Sequence, residues 1–198
     1  EKWPQKNNNS HNNKKNQIFN HIDFQLKRGE RILLQGGNGS GKSSIIKAIL
    51  EKNSEYRSNV VFMDKVEYSG SLEVVSGLKI SYINQDTSYL KGTLKDYIEK
   101  NELNESLLKT ILRQLDLEAV QFGKCLEDYS QGQKKKLLIA TSLMSQGHLY
   151  IWDEPLNYID VFSRIQIENL ILKYKPTMLI VEHDPVFGEK VATKIISL

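Results

Sequence analysis

Gly36, Gly41, Lys42 and Ser43 stand at the spacing G-x-x-x-x-G-K-S, between an apolar run and the start of a helical pattern. Glycines at this spacing let the backbone curl so that successive N–H groups point inward at an anion. A helix that starts at the lysine adds its positive end. Lys42 can then reach the outer phosphates of a nucleotide, and the Ser43 hydroxyl can take a place on Mg²⁺. The plain alternative is a glycine-rich turn with a chance Gly-Lys-Ser, and the strand before it and helix after it argue against that. The motif predicts binding of a nucleoside triphosphate.

Hydrolysis needs a metal-holding acid, a group to activate water and donors for the developing charge. The run "LYIWDEP" ends an apolar strand in Asp153 and Glu154. Carboxylates at the C-terminal edge of a parallel strand face the crevice where ligands bind. Asp153 is expected in the Mg²⁺ shell, and Glu154 is expected to orient and deprotonate the attacking water. His183 follows a second apolar strand, "MLIV", where a ring nitrogen can donate to the outer phosphate. Gln85, in "YINQD", ends a third strand, and its amide can meet the metal or the water. Each has a plainer reading alone: the acids as caps, the histidine and glutamine as ordinary structural residues. Following a phosphate loop in this order, the catalytic reading is the stronger.

Ser130, Gln131, Gly132 and Gln133 open another helix. Ser130 with Gln133 three residues on is a capping box, which by itself only starts a helix. The same geometry offers a hydroxyl and free N–H groups to an anion. One domain has little use for two such sites on one nucleotide. Two copies packed head to tail would each close the other's site.

The elements that must position these groups follow from periodicity. Ile22, Phe24 and Leu26 alternate with polar residues and predict a half-buried strand; Arg28-Gly29 predicts a turn and Arg31–Gln35 a second strand. A helix is expected over Lys42–Lys52, and two strands over Leu72–Ile83 around Ser76-Gly77. Leu107, Leu108, Ile111, Leu112 and Leu115 predict one apolar helical face. Helices are also expected over Gln131–Met144 and Val161–Tyr174, and buried strands over Leu149–Trp152 and Met178–Val181. Buried strands separated by a helix imply a parallel sheet, so the chain is α/β.

The bulk properties agree with one globular unit. The 198 residues are 39% hydrophobic and 26% charged with net charge +3, a mild value that permits contact with RNA without requiring it. No apolar run is long enough to span a bilayer, and the polar N-terminus predicts no signal peptide. The single cysteine, Cys125, excludes an internal disulfide and fits a reducing, cytoplasmic setting, where a small core role is expected of it. Residues 6–16 ("KNNNSHNNKKN") are too polar to bury, which predicts a mobile loop; Trp3 just before them suggests that the chain begins inside structure. Lys134–Lys136 are expected on a solvated helix face, contact with RNA phosphates being the alternative.

Read in order, these pieces resemble the ATP-binding cassette (ABC) ATPases over nearly the whole chain. The resemblance makes Gly36, Gly37, Asn38, Gly39, Ser40, Gly41, Lys42, Ser43 and Ser44 the ATP-binding loop, with ATP and Mg²⁺ as cofactors. It makes Gln85 the Q-loop, Ser130–Gln133 the signature, Asp153 and Glu154 the Walker B pair, Asp160 the end of the D-loop and His183 the switch. It implies an α/β fold with a mainly parallel sheet, an antiparallel β portion and a helical arm over roughly 86–145. "DEPLNYID" and "IVEHD" are similar to the second cassette of the ABC-F branch, whose members protect ribosomes from antibiotics. That implies an ATPase cassette of a two-cassette protein acting on the ribosome; the nucleotide-binding subunit of a membrane transporter is the alternative. The partner implied in either case is a second cassette. Gln131 stands where the family has glycine, Tyr129 where leucine is common and Ser44 where threonine is usual. The family also stacks an aromatic on adenine near the N-terminus, where Trp3 stands, although an ordinary packing role weighs above that.

Overall fold

Parallel strands spread along the chain meet in one sheet, and their burial shows why. In the computed structural model, which describes residues 21–57 and 66–198, the strands are β1 (Arg31–Gln35), β2 (Ile80–Ile83), β3 (Leu149–Asp153), β4 (Met178–Val181) and β5 (Lys194–Ser197). They form one sheet in the order β2-β3-β4-β1-β5, every pairing parallel. β4, "MLIV", is buried at all four positions, as a central strand covered on both faces must be. Successive side chains point to opposite faces. Leu33, Trp152 and Ile180 therefore join one apolar cluster, and Ile32, Leu34, Ile151, Leu179 and Val181 the other.

Helices cover both faces. α1 (Lys42–Lys52) lays Ile45, Ile46 and Ile49 on the second cluster. After α2 (Ser54–Arg57) and β2, the chain passes through α3 (Leu94–Lys100), α4 (Glu105–Gln114), two short 3₁₀ turns and α5 (Gln131–Met144), so residues 86–145 are mainly helical. α6 (Val161–Tyr174) and α7 (Pro185–Val191) complete the first face. α7 sits so close to β1 that a Cβ at Gly188 would lie 2.5 Å from Leu33.

The structure corrects several expectations. Ile22, Phe24 and Leu26 are half-buried in alternation, as are Leu72 and Val74, yet neither segment is a strand. Alternation reports which side faces the core; it does not supply a neighbour for the backbone hydrogen bonds. Among the described residues the only antiparallel pairing is a single bridge, Thr93 to Cys125, so these residues form no antiparallel β portion. On α4, Leu108 and Leu112 are buried with the capping Leu115, while Leu107 is 49% exposed, because the 3.6-residue period turns it away. Cys125 is exposed rather than a core residue, and is one half of that bridge. Residues 6–16 and Trp3 lie outside the described residues.

The lysine run is the largest departure. Lys135 and Lys136 are 2% and 7% exposed. Three successive lysines on a helix do point in different directions, and each finds a carbonyl. Lys134 donates to Glu127, Lys135 to Asn84 and Lys136 to Asp116.

Candidate functional site

β1 delivers the chain into the glycine loop and α1 takes it out. Gly39 and Gly41 adopt left-handed backbone (φ 80° and 99°), which a side chain would strain. A Cβ at Gly36 would meet the Ser40 hydroxyl at 2.6 Å, so this position has no room for one. Gly41 starts α1 without a side-chain cap and with no acid in the first turn, leaving the first N–H groups to an anion. Lys42 is 7% exposed, and its Nζ donates to the Gly36 and Gly37 carbonyls, both at 2.8 Å. The lysine thus braces the loop from beneath.

Above the loop lies a cavity of about 490 Å³ lined by Asn38, Gly39, Ser40, Gly41, Lys42, Ser43, Ser44, Gln85, Glu154, Val181 and His183. Four chain segments far apart in sequence meet there. Glu154 is the hub. Gln85 and Asn157 each donate to its Oε2 at 2.7 Å, and His183 Nε2 lies 3.3 Å from its Oε1. Its backbone is left-handed (φ 49°) just past β3, and its N–H donates to the Val181 carbonyl on β4. That turn aims the carboxylate at the loop. Glu182, 5% exposed, accepts from the N–H groups of Leu156 and His183 and so ties together the two segments that carry Glu154 and His183. Neither Asn157 nor Glu182 was expected to matter. The one signal in the sequence was Asn157's position three residues after Glu154.

Asp153 sits deeper, 5% exposed and outside the cavity lining. Among the described residues no hydrogen bond reaches its carboxylate. Burial pushes this carboxyl up, and Glu154 adds to the effect, while Lys135, Lys42 and His183 pull the other way. A buried carboxylate without hydrogen bonds fits a hard divalent cation, as do the other oxygen donors here, the Ser43 hydroxyl and the Gln85 amide.

The signature residues are placed elsewhere. Ser130 caps α5: its Oγ accepts from the Gln133 N–H, and Gln133 Oε1 accepts from the Ser130 N–H. None of Ser130, Gln131, Gly132 or Gln133 lines the cavity. Two of the three departures from the family pattern lie here and have local partners. Gln131 accepts from the buried Thr87 hydroxyl at 2.7 Å, and Tyr129, 3% exposed, donates to the Gln121 carbonyl. Gly132 packs against backbone: a Cβ there would lie 2.4 Å from the Tyr158 carbonyl oxygen.

Asp160 caps α6 and pairs with Lys136 at 2.6 Å. Burial alone would raise its carboxyl, but hydrogen bonds from Lys136 and from Ser163 outweigh it and hold the pKa at about 2. A depressed carboxylate pKa contributes stability that is complete above pH ~4 and is lost as pH falls through about 2. The side chain is 44% exposed, so screening holds the gain to roughly 1 kcal/mol. Asparagine also caps helices well, so Asp160→Asn isolates the charge. The variant is expected to lose about that amount at neutral pH, with the gap closing between pH ~4 and ~2 in paired urea melts.

The profile of the ABC transporter family matches residues 19–157. The chain belongs to the ABC transporter family. Hydrolysis of ATP is the activity of this family's cassettes, and this chain is one of them. The cassette is 30% identical over 185 residues to the ATP-binding protein Uup of Buchnera aphidicola subsp. Acyrthosiphon pisum, which covers 89% of this chain and 29% of that protein. It is 28% identical over 176 residues to the ribosome protection protein VmlR of Bacillus subtilis, covering 87% of this chain and 30% of that one. The chain thus spans less than a third of the length of these relatives. A solved bacterial ABC transporter cassette, determined as a dimer, shares the fold with TM-score 0.69 at 20% identity, over 91% of this chain and 86% of that one.

Proposed function

We propose that this ABC cassette hydrolyses ATP when paired with a second cassette, as part of an ABC-F type protein that acts on the ribosome. One observation carries the pairing. Gln85, Glu154 and His183 gather over the loop, whereas Ser130–Gln133, at the capped start of their own helix, lie outside that cavity. A nucleotide held on the loop has its near side served by this chain and its far side open to another copy's signature.

In this reading residues 36–44 and Lys42 grip the phosphates. Glu154 takes the proton of the attacking water, and Gln85 and Asn157 hold its Oε2 in place. His183 Nε2 donates to the outer phosphate. Asp153, Ser43 and Gln85 would hold Mg²⁺, which when bound supplies charge neutralisation between the outer phosphates. Asp160 fixes the start of α6 against the signature helix through Lys136.

The ribosome is supported by likeness to VmlR, itself described as a ribosome protection protein. No helix among the described residues is long and apolar enough to cross a membrane. The family's own description favours the second reading, the ATP-binding subunit of a transporter. Co-sedimentation separates the two. The full-length protein carrying Glu154→Gln is expected to pellet with ribosomes in ATP and to stay in the supernatant without nucleotide; no association in ATP sinks the ribosome reading.

A further inference from the structure

Lys135 is unlike the lysines on either side of it. It is 2% exposed, and its Nζ donates to the carbonyl of Asn84 at 3.1 Å, directly before Gln85. Burial pushes the pKa of its ammonium group down, while three acids at the ends of β3 and β4, Asp153, Glu154 and Glu182, pull the other way. Asp153 and Glu182 are each 5% exposed. A lysine at this depth is costly unless something compensates it. Its one hydrogen bond goes to the Asn84 carbonyl, and among the described residues its Nζ forms no ion pair. It does not line the cavity.

We propose that Lys135 is a positioning residue for ATP hydrolysis, a buried side chain on the signature helix whose Nζ holds the backbone before Gln85 and so keeps the Gln85 amide on Glu154. It acts through Gln85 and Glu154 and touches no substrate. The proposal rests on the roles given above to those two residues. Because Lys135 lies on α5, the helix that Ser130 caps, it ties the surface expected to meet a second cassette to this cassette's own hydrolytic residues.

ATP turnover and equilibrium binding of a fluorescent ATP analogue are measured on the full-length protein and on Lys135→Met, Lys135→Gln, Lys135→Arg and Glu154→Gln. Methionine keeps the buried stem without a donor, glutamine is one bond too short for the Asn84 carbonyl, and arginine keeps a donor at that reach. The expected result is a kcat about tenfold lower for the Met and Gln variants, with KM and analogue affinity within about threefold of the parent, and most of kcat restored by Arg. Unchanged kcat in the Met variant overturns the proposal, and so does a loss carried by KM. Poor folding of both uncharged variants beside a well-folded Arg variant shows a merely structural role and overturns it too. Full turnover by Glu154→Gln would instead remove the site reading on which the proposal stands.

Discussion

Glu154→Gln lowers steady-state ATP turnover by about 10²–10³-fold while leaving ATP binding intact; this is the first expected result, and its size is that of a lost general base. Geometry makes the substitution a clean one. Gln85 and Asn157 both donate to the same carboxylate oxygen, Oε2. A glutamine is nearly the same size and can present its carbonyl oxygen to these two donors, so the side chain keeps its place. What disappears is the capacity to take a proton. Steady-state phosphate release beside equilibrium binding of an ATP analogue checks both halves. Turnover within about twofold of the parent would assign the base elsewhere in the cavity.

Lys42→Ala is expected to cost ATP affinity about 10²-fold or more, from the loss of charge-assisted contacts worth roughly 1.5–3 kcal/mol each. Two features of the site make this the larger ground-state effect. The lysine is buried at 7% exposure, so its charge is poorly screened. Its Nζ also holds the Gly36 and Gly37 carbonyls, and truncation leaves both without that donor and loosens the loop. Asp153 loses one of its compensating cations at the same time. Isothermal titration with ATP and Mg²⁺ measures the loss, and an affinity within about threefold of the parent contradicts the assigned grip. The two variants thus separate binding from turnover: Lys42→Ala acts on the first and Glu154→Gln on the second.

Much of the architecture was readable in advance because it is local. β1, α1, α5, α6 and β4 begin and end where period and capping place them: Ser130 is an N-cap, and "MLIV" has no polar face to expose. α7 carried an unread signal of the same kind, Asp184 as N-cap followed by Pro185 at the first helical position. The strand expected at Ile22–Leu26 shows the limit. Its alternation is present in the burial, but a strand needs a partner that no pattern within five residues can supply.

The same division runs through the site. Motif spacing named the loop, the acids, the glutamine and the histidine, because phosphate and metal chemistry restricts which residues can serve and the chain places them just past strand ends. The amino-acid order alone therefore settled which groups are available. It left open that Glu154 accepts from Asn157 as well as Gln85, that buried Glu182 bridges two loops, and that Gly132 lies against the Tyr158 carbonyl. It also pointed to solvent for a lysine run of which two members are buried, one paired with Asp160 and one bonded to the Asn84 carbonyl. Those outcomes depend on contacts between positions tens of residues apart, where the close packing of α5 against the strand ends decides whether a lysine meets water or a protein oxygen.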